Sequence, residues 1–339
     1  MSGPFSKNDI KIAVIGGGTG SFMIISALKP HTKQIAAIVN MVDDGGSTGI
    51  LRDEFGTLPS GDVRKCLVAL SDSPKIRDLF NYRFDGGTFC GHSFGNILLT
   101  ALEKVTGSFS DAVETASEIL RVSGVVIPAT LDNVRLKMEW PEESVVLNGE
   151  FVIGSNKFKY DPRQAELSLT PSAMANPMAI EAIEQADMVI ISPGDLYISL
   201  GPLLIIDGFK EALMKTKAVC VYVANLTTKH GQTDNFTVCD HVSEIERFAG
   251  AKFIDYVLYN QQVPDNKVMK RYVKEKAFIV KAEKAKLKNA SYKAVPANLL
   301  GQMAKSDKSD VLPVVRSLIR HDEKAVAGAL LEIYRQSVQ

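Results

Sequence analysis

Asp43 and Asp44 stand side by side at the end of an apolar run and are followed at once by Gly45, Gly46 and Ser47. Two carboxylates delivered into a glycine-rich loop suit three tasks: gripping a ribose hydroxyl, holding a magnesium ion, or drawing the proton from a nucleophilic hydroxyl. The structural alternative is a turn whose acids only cap the backbone, since Asp-Gly is a common turn dipeptide. Adjacent side chains on extended backbone point opposite ways, so one of the two is expected at a ligand, and the spacing does not say which.

A second constellation lies upstream. Gly16, Gly17, Gly18, Thr19 and Gly20 follow the apolar run 11–15 and precede Phe22, Ile25 and Leu28 at helical spacing, which reads as strand, glycine turn, helix. Bare backbone N–H groups and the helix dipole attract phosphate at such a turn, with a tight structural turn as the alternative. Gly16 and Gly18 fit the dinucleotide fingerprint, but Ser21 stands where its third glycine belongs, and no Gly-Lys-Ser/Thr of a phosphate-binding Walker loop follows. Further along, His92 and Asn96 offer an imidazole and an amide just before a helix, against the commoner role of capping it. Pro193, Gly194, Asp195 and Ser199 form another loop after a strand, and Asn225 closes a fourth strand.

The elements that must position these residues alternate. Strands are predicted at 35–42, 188–192, 219–224 and 254–259, and helices at 62–70, 96–104, 110–122, 178–186, 206–214 and 321–336. A hairpin is predicted over 145–158, turning near Gly154. Alternation of this kind favours an α/β fold with a mostly parallel, doubly wound sheet whose strand C-termini gather the loops into one crevice. Residues 1–282 read as one domain with a smaller hairpin and helical region at about 125–176, and 283–339 as a helical extension packing on it.

The 339 residues include 39 basic and 39 acidic side chains and are 45% hydrophobic, ordinary globular values that exclude a disordered or fibrous chain. Balanced charge supplies no field for nucleic acid or an anionic membrane, so neither is an expected partner. Cys66, Cys90, Cys220 and Cys239 lack ligand-like spacing. The polar stretch 1–9 lacks a signal-peptide core, and no later apolar run reaches the length of a membrane span, so a cytoplasmic chain is expected.

Several stretches together resemble the gluconeogenesis factor (YvcK-like) family: Ile15 to Gly20, Val42 to Gly49 with Leu51-Arg52, Gly61-Asp62-Val63-Arg64, and Pro128 to Leu131. Gly91-His92 with Gly95-Asn96, Pro193-Gly194 with Leu196-Tyr197 and Ser199, and Asn225-Leu226 with Asp240-His241-Val242 fit it as well, so the likeness runs from about Lys11 to Tyr272. The family sits in a superfamily similar to 2-phospho-L-lactate transferase (CofD-like), which implies a Rossmann-like three-layer sandwich. In the transferase branch a phospholactyl group passes from a guanylyl carrier to a deazaflavin precursor. The resemblance then implies a magnesium-dependent centre by Asp43 and Asp44, and a diphosphate against Gly16 to Gly20 and Pro193 to Ser199. It carries Asp62, His92, Asn96 and Asn225 into the same site.

The gluconeogenesis factor branch implies instead a regulator that binds UDP-sugars and governs central carbon metabolism, cell-wall precursor supply and cell shape, with no agreed reaction. The long loop 43–49 places the chain in that branch. Ser123, Asp195 and Leu200-Gly201-Pro202 depart from its pattern, and Asp195 would repel a diphosphate unless a cation intervenes. The expected ligand is a UDP-sugar or another nucleotide diphosphate. A 2-phospho-L-lactate transferase-like phosphotransferase is the first alternative, and an NAD-type dinucleotide-binding protein the second. A homo-oligomer is expected by fold analogy alone, and regulatory protein partners leave no sequence mark.

Overall fold

The computed structural model describes residues 10–264, 269, 276–301 and 319–339; the polar stretch 1–9 and Tyr272, where the family likeness ends, lie outside them. Strand β1 (Ile12–Gly16) is buried throughout and pairs in parallel with β2 (Ile35–Val39) on one side and β7 (Met188–Ile191) on the other, Ile12 lying opposite both Ile35 and Met188. Outward from β2 lies β3 (Val125–Pro128), and outward from β7 lie β8 (Val219–Val223), β9 (Tyr256–Asn260) and β10 (Lys293–Ala297). Every ladder of this seven-stranded sheet is parallel. Strands buried on both faces explain why the sequence shows continuous apolar runs and not alternation.

Neighbouring residues of β1 feed two separate cores. Ile12 and Val14 join the layer containing α1 (Gly18–Leu28), α3 (Gly61–Leu70), α5 (Phe94–Thr106), α6 (Phe109–Leu120) and the last helix, α13 (Glu323–Ser337). Ala13 and Ile15 join the opposite layer, with α8 (Pro177–Glu184), α10 (Phe209–Lys215) and α11 (Val238–Ala249). The result is a three-layer, doubly wound sandwich. Its order reverses between β1 and β7, so the loops leaving those two strands diverge around a crevice at the sheet's C-terminal edge.

Between β3 and α8 the chain makes a small antiparallel sheet of β4 (Arg135–Trp140), β5 (Val145–Asn148) and β6 (Glu166–Thr170), with α7 (Glu150–Ser155) leaving β5. The hairpin expected over 145–158 is corrected here. β5 pairs back onto β4, with Trp140 opposite Val145, and Gly154 lies inside α7. Phe151, Val152 and Ile153 look strand-like, yet only Ile153 is buried, which suits one face of a short helix. The inserted region also starts later than expected, since 125–128 belongs to the main sheet.

Two further corrections bear on the site. β2 stops at Val39 and not at Val42: the Asn40 N–H donates the last bond of the ladder to the Gly16 carbonyl, and Met41 and Val42 remain buried in the loop beyond. The glycine run after Asp44 opens helix α2 (Gly46–Phe55), which the turn residues hid. The stretch 283–339 is not wholly helical. It contributes a short helix, α12 (Lys284–Lys288), the edge strand β10 and α13. Among the described residues no helix is long and apolar enough to cross a membrane.

Candidate functional site

The crevice is built from helix starts. Gly17 is the N-cap of α1, no side chain caps that helix, and its first turn carries no acid. The unsatisfied N–H groups and positive dipole end at Gly18, Thr19 and Gly20 are therefore available to an anion. Gly20 packs against the loop after β7 so closely that a Cβ there would lie 1.6 Å from the Pro193 carbonyl oxygen. That loop is itself clamped: Asn225 Oδ1 accepts from the Gly194 N–H at 3.1 Å and its Nδ2 donates to the Gly194 carbonyl at 2.7 Å. Ser199 follows in the π-type turn 196–200, with its Cβ 3.5 Å from the point where a Cβ on Gly194 would sit.

The acidic residues converge on the same helix starts. A Cβ on Gly61 would lie 2.6 Å from Asp43 Oδ2, and one on Gly17 would lie 2.4 Å from Asp62 Oδ2, so the beginnings of α1, α2 and α3 share one rim. Asp43 Oδ1 accepts from the Gly45 N–H at 3.1 Å. Burial, then the neighbouring Asp62, pushes the Asp43 carboxyl above the usual carboxylate range, while Lys65, the Gly45 N–H and Thr48 pull against them. Lys65 Nζ donates to Asp62 Oδ1 at 2.9 Å.

Asp44 turns the other way. Its Oδ2 accepts from the Glu150 N–H at 3.1 Å, its Oδ1 accepts from the Phe151 N–H at 2.7 Å, and Arg135 lies 3.4 Å from it. The second acid of the pair thus caps α7 and fastens the inserted region to the main sheet. Ser47, His92 and Asn96 stand behind the rim as a hydrogen-bonded set. Ser47 Oγ lies 3.0 Å from His92 Nδ1, Asn96 Nδ2 donates to Ser47 Oγ at 3.3 Å, and Arg64 Nε donates to Asn96 Oδ1 at 2.9 Å. Asp195 Oδ1 accepts from the Tyr197 N–H at 3.1 Å, and its other oxygen is paired with Lys229, the cation whose absence would have made this acid repel a diphosphate.

Beside α1 the rim opens into a cleft of about 290 Å³ lined by Thr19, Gly20, Pro193, Gly194 and Asn225, and closed by Arg320 and His321 ahead of α13.

The family model described as 2-phospho-L-lactate transferase CofD matches residues 12–300. A gluconeogenesis factor of Bacillus subtilis is 37% identical over 329 residues, covering 96% of this chain and 98% of the relative. The chain belongs to the gluconeogenesis factor branch of the CofD family. Another gluconeogenesis factor, from Halalkalibacterium halodurans, is 36% identical over 325 residues and covers 95% of both chains. A crystal structure of a UPF0052-family protein from Bacillus halodurans superposes with a TM-score of 0.84 at 34% identity, covering 95% of this chain and 99% of that one.

In this member of the family the site contains residues that sequence reasoning passed over. Glu150, at the start of α7, is the first. Burial and then Asp43, Asp62, Asp44 and Asp195 push its carboxyl up to about 9. Such a group keeps, in the folded state, a proton that the unfolded chain loses near 4.5, so stability falls as pH rises from about 4.5 to about 9. Glu150→Gln removes that slope. The variant is expected to match the parent near pH 4.5 and to exceed it increasingly towards pH 9, by up to about 1.4 kcal/mol for each pH unit. Urea unfolding across that range checks this, and a constant difference between the two proteins contradicts it.

Of the acidic pair to which the family resemblance assigns a magnesium-dependent centre, Asp43 accepts from the Gly45 N–H and has no ion pair among the described residues. Asp44 is consumed by α7 and Arg135, and Asp62 is held by Lys65. Among the described residues, no group of three or more His, Cys, Asp or Glu side chains is arranged to hold a metal ion.

Proposed function

We propose that this chain is a cytoplasmic nucleotide-sugar-binding regulator of carbon metabolism, cell-wall precursor supply and cell shape, with a UDP-sugar as its ligand. The observation that carries the reading is the uncapped start of α1, whose Thr19 and Gly20 open directly onto the cleft bordered by Pro193, Asn225 and Arg320. A diphosphate placed there receives backbone N–H groups at its oxygens, and the adjoining cleft takes the nucleoside. The gluconeogenesis factors among its relatives support the metabolic part of the reading. A regulator of this kind acts through partner proteins, and a homo-oligomer remains part of the proposal.

Calorimetric titration with UDP-GlcNAc and UDP-glucose is expected to show saturable binding; flat traces with both sugars would remove the reading. The transferase alternative draws on the CofD match and on Asp43, the rim carboxylate that would serve as base for an acceptor hydroxyl. Incubation with a guanylyl-lactyl donor, a deazaflavin acceptor and magnesium separates the two. GMP release above an enzyme-free blank supports the transferase, and none is expected of the regulator.

A further inference from the structure

We infer that Lys65 is a built-in cation for the ligand's diphosphate, occupying the role that a divalent metal fills where nucleotides are bound as metal complexes. The inference rests on the nucleotide reading above. Asp62 lies in the first turn of α3, and Lys65 one turn later reaches back to it, with Nζ 2.9 Å from Asp62 Oδ1. This places the ammonium at the glycine turn. A Cβ built on Gly18 would have as its nearest neighbours the Asp62 carboxylate, at 3.8 and 4.0 Å, and Lys65 Nζ, at 3.9 Å.

An ammonium has three N–H donors, and the recorded bond to Asp62 uses one of them, leaving two for phosphate oxygens. The Lys65 side chain is 35% exposed, so it is held yet open to a ligand. Asp62 and Asp43 hold its pKa above the ordinary lysine value, which keeps it charged. At the same glycine turn, Asn40 is 3% exposed, its Cβ lies 3.3 Å from where a Cβ on Gly17 would be, and its Oδ1 has no hydrogen-bond partner. A buried polar atom left unmatched beside the turn is a second sign that this place is completed by a ligand.

The surrounding charges agree with a metal-independent site. Asp62 is neutralised by Lys65, Asp44 by Arg135 and Asp195 by Lys229. The two acids without an ion pair, Asp43 and Glu150, are both pushed towards their neutral forms.

The test titrates the full chain with UDP-GlcNAc and, separately, with inorganic pyrophosphate, each with chelator and with excess magnesium. Parent affinity is expected to be the same with and without magnesium. Lys65→Met is expected to weaken both probes about tenfold or more in chelator, with Lys65→Arg keeping most of the affinity. Parent binding that vanishes in chelator, or a folded Lys65→Met variant that binds like the parent, overturns the inference and leaves the nucleotide-sugar reading standing. Pyrophosphate binding that depends on Lys65, with flat traces for both UDP-GlcNAc and UDP-glucose, upholds the inference and removes that reading. No binding of pyrophosphate or of either UDP-sugar removes both. If Lys65→Met does not fold, the magnesium dependence of the parent decides alone.

Discussion

Gly20→Ala is expected to abolish ligand binding and to lower stability by about 3 kcal/mol, the upper end of overpacking penalties. The added methyl would lie 1.6 Å from the Pro193 carbonyl oxygen and 2.8 Å from its carbon, and backbone atoms cannot step aside as a flexible side chain can. Relief requires α1 to move away from the loop after β7, which widens the crevice at the switch point. Gly18→Ala is the control. Its methyl would meet nothing nearer than 3.8 Å, but Gly18 holds φ +63, so the cost is conformational, about 1 kcal/mol. Urea unfolding and calorimetry on both variants check the contrast, and a Gly20→Ala protein as stable as the parent would refute the close packing of the two loops.

The neighbouring acids are expected to answer oppositely to substitution. Asp44→Ala strips the cap from α7 and removes one of the two carboxylates that Arg135 pairs with, Asp53 remaining, at a cost of about 2 kcal/mol. The inserted sheet should become sensitive to limited proteolysis. Asp43→Asn replaces a carboxyl whose charged form is disfavoured by burial and by Asp62, so stability is expected to hold or rise while ligand affinity changes. Thermal melts with calorimetry measure both. A larger loss of stability for Asp43→Asn than for Asp44→Ala would reverse the assignment.

The contrast shows where sequence reading reaches and where it stops. β1, β7 and β8 were legible because strands covered on both faces must be apolar throughout, and the loops that follow them inherit their place from the topology. Opposite directions for Asp43 and Asp44 followed from extended backbone, but the partner that distinguishes them is a peptide N–H 106 positions away, which no local pattern encodes. The same distant cap makes a helix of 150–155, where Phe151, Val152 and Ile153 suggested a strand. β2 was overextended because Met41 and Val42 are buried as deeply as a strand although they lie in a loop. β10, with Lys293 and Pro296 on the sheet edge, lacks the apolar run that marked the inner strands. Lys65 was within reach, since an acid and a lysine three apart on a helix face are neighbours. Arg320 and His321 were not, because only the packing of α13 beside α1 brings them to the cleft.

The most direct measurement is a crystal structure of the chain with UDP-GlcNAc bound. The account expects the diphosphate within hydrogen-bond distance of the Gly18 to Gly20 amides and of Lys65 Nζ, with the nucleoside in the cleft by Asn225 and Arg320. A ligand bound elsewhere, with those amides still facing solvent, would contradict it.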